Sequence, residues 1–172
     1  MEISDVISSI SLAVTIIGLA FAFFQWRKSN SIKRAEYINE LTEKVRSDED
    51  IRAIVYRIDY NEDWYTAGFH GSGELELQVD KTLSYFSYIC YLKSMKVVSK
   101  KEFSFFEYKI NRILKDNNVQ IYLFNLYHFS RKDNTSISFN YLLEYGKEKK
   151  LLTNDFFNKD SKQYQDYKYL YF

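Results

Sequence analysis

Two histidines and one cysteine are the first places to look for chemistry in these 172 residues. His70 lies in a glycine-rich stretch and His128 in an apolar run. Neither has the His-x-x-x-His or Glu-x-x-His spacing that sets two metal ligands on one helical face, so no metal site is expected. Cys90 stands alone, which excludes an intramolecular disulfide and a multi-cysteine metal site. A lone cysteine fits a reducing compartment. There is no Gly-x-Ser-x-Gly elbow, and the carboxylates lie in charged, solvated stretches where no acid/base pair stands out. Nothing calls for a cofactor. The one reaction class worth weighing is RNA cleavage, with a guanidinium on the scissile phosphate and an imidazole for proton transfer. Arg112 and His128 are the candidates. Arg112 is followed five residues later by Asn117, and His128 has no arginine among the seven residues before it. The pair could therefore meet only through folding, and the leading expectation is a protein that is not an enzyme.

The elements that would position these residues read as helical. There is no proline and there are only 5 glycines, against 16 Tyr and 14 Phe. So few breakers favour helices joined by short polar turns. With 46% hydrophobic and 27% charged residues, most of the chain should bury a core. A net charge of +1 gives no case for nucleic-acid binding on bulk electrostatics. The division expected is an anchor over residues 1–28, a helical domain over 29–152 and an aromatic tail over 153–172.

The anchor is the clearest feature. Val6 to Trp26 is a run of 21 residues without a charge, roughly 32 Å of helix, close to the hydrocarbon thickness of a bilayer. A cleaved signal peptide would need a basic leading region and a small-residue cleavage site. Here Glu2 and Asp5 precede the run, and it ends Phe-Phe-Gln-Trp-Arg-Lys. Trp26, Arg27 and Lys28 are the residue types that sit at a membrane interface. All 24 Lys and Arg follow the apolar run. The positive-inside rule then expects a single pass in the bacterial inner membrane, N-terminus outside and C-terminal domain cytoplasmic.

Ser4, Ser8, Ser11, Thr15, Gly18, Ala22 and Gln25 recur in alternating steps of four and three, the spacing of a heptad seam. No large apolar residue of the run falls on that stripe. Small and hydroxylated residues let membrane helices approach and hydrogen-bond. A chain with one spanning helix has no second helix to offer, so the expected partner is another copy. In a dimer or trimer the stripe would be dry; in a larger ring it could line a water-filled path. The bland alternative is that scattered small residues are common in membrane helices.

Beyond the anchor, Ile38, Leu41 and Val45 continue at helical spacing. Ser47-Asp48-Glu49-Asp50 reads as an N-cap with acids in the first turn of a second helix carrying Ile51, Ile54, Val55 and Ile58. Asn61 to Gly73, with Trp64 and His70, reads as a flexible connection rather than a binding loop. Glu74 to Val98 is a long buried helix with Leu75, Val79, Leu83, Phe86, Ile89, Cys90 and Met95 inward. Ser99-Lys100-Lys101-Glu102 is a capping box that starts the helix of Phe103, Phe106, Ile110, Ile113 and Leu114. Val119 to Phe129 is a further buried helix. Ser138 to Leu151 is the last, with Gly146 a candidate break. The tail is aromatic enough that it is expected to dock on its own domain or on a neighbour rather than stay free in water.

The spanning helix ending Phe-Phe-Gln-Trp-Arg-Lys, followed by helices and the stretch LSYFSYICYLKSMKVVSKKEFSFFEYKINRILKDNNVQIYLFNL (residues 83–126), resembles small membrane-anchored helical proteins of bacterial phage defence. Within them it resembles the HEPN-related accessory membrane protein of type VI-B CRISPR systems. That resemblance implies an all-α, HEPN-like cytoplasmic bundle and a homo-oligomeric ring forming a membrane pore. It implies membrane lipid and other copies of the chain as partners. An RNA-guided nuclease, or its RNA products, would be a functional partner rather than a stably bound one. The Arg/His motif of HEPN ribonucleases, with the two residues four to six apart on one helix, has no match here.

Overall fold

Helix α1 runs Ile3–Ser47, 45 residues without a break and roughly 68 Å long. It contains no proline, and Gly18 is its single glycine. The structure is a computed structural model that describes residues 3–71, 73–132 and 135–161. Most of the aromatic tail, residues 162–172, lies outside the described residues. Every regular element among the described residues is a helix. The chain divides into two units, Met1–Glu43 and Lys44–Phe172.

The second unit holds α2 (Glu49–Asp59), α3 (Glu74–Ser94), α4 (Lys100–Lys115), α5 (Asn117–Lys132) and α6 (Asn140–Glu148). Asp48 is the N-cap of α2, and its carboxylate accepts from the Ile51 N–H at 3.3 Å. Ser99 and Glu102 form the full capping box at the start of α4, which satisfies two of the N–H groups a helix start leaves unpaired. Helix α3 packs against α2, α4 and α6. Its Val79, Leu83, Phe86 and Ile89 are fully buried. Facing them are Ile51, Ile54 and Ile58 of α2, and all five apolar residues expected on α4.

The helix ends differ from the sequence reading. Helix α3 stops at Ser94, with Met95 as its exposed C-cap, instead of running on to Val98. Lys96 then takes φ 58°. The Val97 N–H donates to Leu92 O at 3.0 Å and the Lys96 N–H to Lys93 O at 3.0 Å. That pair of bonds is a Schellman stop, a place where glycine is the usual residue. Asn61 (φ 52°) ends α2 and Lys150 (φ 57°) ends α6 in the same way. Gly146 does not break α6; it lies inside the helix and is buried. A methyl group there would meet Leu152, so the glycine is a point of close approach.

Asp116 joins α4 to α5 without a loop. It is the C-cap of α4, and its carboxylate accepts from the Val119 N–H at 2.9 Å in the first turn of α5. Asn118 then fastens the segment between α2 and α3. Its side-chain oxygen accepts from the Tyr65 N–H at 3.2 Å and its Nδ2 donates to Glu62 O at 3.2 Å. With that backbone held, Trp64, Tyr65 and Phe69 are buried. The expected flexible connection is an aromatic layer laid against Tyr122.

Candidate functional site

On α1, the stripe Ser4, Ser8, Ser11, Thr15, Gly18, Ala22 and Gln25 is exposed along its whole length. Around it the large apolar side chains are exposed too: Leu12 by 63%, Ile16 by 57% and Phe24 by 73%. Soluble proteins rarely present so much contiguous apolar surface to water. This one helix is long and apolar enough to cross a membrane. The Thr15 hydroxyl donates to Ser11 O at 2.8 Å. Its proton is thus satisfied within the helix while its oxygen can still accept across an interface. A methyl group built on Gly18 would meet nothing, so the glycine leaves room for a neighbour rather than for its own helix. At the far end Phe23 and Trp26 lie 6.0 Å apart, and the Arg27 guanidinium sits 5.8 Å over the Phe23 ring. Arg27 and Lys28 are exposed beyond them.

Arg112 and His128 have separate structural partners. The Arg112 Nη2 donates to Ile58 O at 3.1 Å and Asp59 O at 3.2 Å, and its Nε pairs with Asp59 Oδ1 at 3.5 Å. It closes the C-terminal end of α2, where carbonyls lack intrahelical donors. Arg112 also lines a groove of about 390 Å³ with Lys115, Asp63 and Asp116. The two acids offset the two cations, which makes a poor cradle for phosphate. His128 is buried, and its Nε2 lies 2.9 Å from Phe156 O. A carbonyl only accepts, so Nε2 carries the proton. The His128 ring lies 4.3 Å from Phe124 and 5.0 Å from Tyr127. Arg112 is held by the end of α2 and His128 by the backbone at Phe156. Burial pushes the Cys90 thiol up to about 12, which leaves it unreactive.

The sequence reading missed the polar groups beneath the aromatic layer. His70 Nδ1 lies 3.0 Å from Glu76 Oε1 and its Nε2 lies 3.0 Å from the Tyr65 hydroxyl. Asn125 Nδ2 donates to that hydroxyl oxygen at 3.1 Å. An ionised carboxylate only accepts, so His70 Nδ1–H donates to Glu76, and Asn125, Tyr65, His70 and Glu76 form one connected chain of hydrogen bonds. The Trp64 Nε1 is buried without a hydrogen-bond partner among the described residues. One turn after Glu76, Asp80 Oδ1 accepts from the Tyr122 hydroxyl at 2.5 Å. Burial raises the Asp80 carboxyl above the usual carboxylate range; the Tyr122 bond opposes this and Glu76 adds to it. Burial and the Asp80 carboxylate push Tyr122 up. Among the described residues no lysine or arginine is paired with Asp80. The signal for it was helical phase: Asp80, Leu83 and Ser87 share a stripe of α3, and Leu83 and Ser87 are buried.

Among the described residues no group of three His, Cys, Asp or Glu could hold a metal ion. No protein-family model, no curated protein and no solved structure matches this chain.

Proposed function

We propose that this protein is a single-pass membrane protein that assembles with copies of itself through the α1 stripe and acts by making the membrane permeable. The observation that carries the reading is the uncharged stretch of α1 up to Trp26, exposed at every side chain described from Ile7 onward, with the stripe of small and polar residues along it. Its apolar sides suit lipid and its polar side suits a neighbouring helix of the same kind. The charge distribution favours the bacterial inner membrane, with the second unit on the cytoplasmic side. In a ring, Ser11, Thr15 and Gln25 would face a wet path. The resemblance to the HEPN-related accessory protein of type VI-B CRISPR systems adds the setting, depolarisation in support of RNA-targeting phage defence. The ribonuclease alternative loses ground because Arg112 is committed to α2 and His128 to Phe156 O.

Crosslinking tests the assembly. In a Cys90→Ser background, single cysteines at Thr15 or Ala22 should link copies in native membranes, and cysteines at Ile16 or Phe23 should not. The reverse pattern, or a monomer on detergent extraction, overturns the reading. Membrane potential during phage infection tests the pore: with an active defence partner present, an unchanged potential rejects it. Exchange of α1 residues 3–28 for an unrelated spanning helix should abolish protection, whereas a passive tether would keep it.

A further inference from the structure

A cavity of about 210 Å³ lies between α3, α5 and the segment 135–139. Its walls are Leu126 and Phe129 of α5 together with Ile137 and Phe139, and Ser136 and Ser138 add hydroxyls. Asp80 and Tyr122 border it from the core side. Asp80 is the single charged residue among the described residues that line it. Tyr122 occupies one carboxylate oxygen, and an ionised carboxylate can accept several more bonds. A half-buried carboxylate with no lysine or arginine paired to it among the described residues is a costly thing for a fold to hold, and here it sits at the edge of an opening.

The lining selects the chemistry of an occupant. An anion would be repelled by Asp80. A calcium ion needs six to eight oxygen ligands and magnesium a near-ideal octahedron, and one carboxylate with scattered hydroxyls offers neither. A neutral apolar molecule would desolvate Asp80 and leave it with no new hydrogen bond or counter-charge. An ammonium group on a short alkyl stem fits each part: charge-assisted hydrogen bonds to the carboxylate, and a stem against the apolar Leu126, Phe129 and Ile137. The volume holds about seven water molecules, which sets the ligand at about that many heavy atoms. We propose that this cavity binds a small organic ammonium ion, held by the Asp80 carboxylate against Leu126, Phe129 and Ile137. The site is independent of the membrane reading, because every residue in it belongs to the second unit.

Titration calorimetry on the full chain in lipid nanodiscs tests this, with n-butylammonium as the probe and n-butanol and butyrate as controls. Saturable one-site binding of n-butylammonium alone is expected. Asp80→Asn should weaken it at least about tenfold, the loss of one strong charge-assisted contact. Tyr122→Phe, which keeps the carboxylate, should retain it. Ile137→Trp fills the cavity from the segment before α6 and should block binding, even if Asp80→Asn fails to fold. Absence of saturable binding, equal binding of n-butanol, or affinity unchanged in both Asp80→Asn and Ile137→Trp overturns the proposal.

Discussion

Leu152 lies so close over Gly146 that a Cβ built on the glycine would fall 2.8 Å from Leu152 Cδ1 and 2.9 Å from its Cγ. Leu152 is itself buried, and Leu114 Cδ1 stands 3.4 Å away on another side. Gly146→Ala thus sets two effects against each other. Helix propensity favours alanine by about 1 kcal/mol, and overpacking a filled core costs about 1–3 kcal/mol. The clash should win, with a net loss of about 1 kcal/mol in thermal or urea unfolding. In a Leu152→Ala background the same change should become stabilising. A gain in the native background would mean that Leu152 moves aside freely.

The helix stops at Lys96 and Lys150 hold side chains at φ near 58°. A left-handed residue with a Cβ costs about 1–2 kcal/mol, and glycine escapes most of that while losing more freedom on folding. Lys96→Gly and Lys150→Gly should each raise stability by about 0.5–1 kcal/mol. Asn61→Gly should give less, because asparagine tolerates this conformation better. Unfolding midpoints of the three variants, measured side by side, check the ranking.

These stops also explain what the sequence made legible. Helix starts carry side-chain chemistry, so the Ser99–Glu102 box could be read directly, while at α2 the cap is Asp48, one residue past the Ser47 that opens the Ser-Asp-Glu-Asp run. The α4 core face follows from periodicity and matches residue for residue. Helix ends here use lysine and asparagine in place of the usual glycine, so the apolar pattern carries the expected α3 four residues past Ser94. Gly146 was open to reading as a break because a glycine chosen for contact looks the same in sequence as one chosen for conformation. The layer of Trp64, Tyr65 and Phe69 depends on Asn118, more than fifty residues along the chain. The Asp80–Tyr122 bond likewise joins α3 to α5. No local pattern encodes either pairing.

Asp80 should make stability fall as pH rises. Its carboxyl is raised above the ordinary 3.8 by burial. Below 3.8 it is protonated in both folded and unfolded chains and contributes no pH dependence. Through the window from 3.8 up to its folded value the unfolded chain releases the proton first, so the folded state loses relative stability. Above that window the penalty is complete. Asp80→Asn still offers Tyr122 an acceptor and carries no charge. At pH 7 it should be at least as stable as the native chain, and its advantage should shrink as the pH falls towards 4. Unfolding followed at several pH values tests this. A variant less stable at pH 7 than at pH 4, relative to native, would mean that the Asp80 charge supports the fold.

Arg112 is expected to matter for stability and not for chemistry. Its guanidinium reaches two carbonyls and one carboxylate at the end of α2. Lysine keeps the charge but cannot spread donors across three acceptors in a fixed plane. Arg112→Gln should cost about 1–2 kcal/mol, the low side for hydrogen bonds to a charged group because the site is partly exposed. Arg112→Lys should recover only part of that, through the favourable field of a cation at a helix C-terminus. Neither variant should alter RNA integrity in cells beyond what its folded population explains. RNA cleavage present in the native chain and lost in a well-folded Arg112→Lys would return the ribonuclease reading to first place.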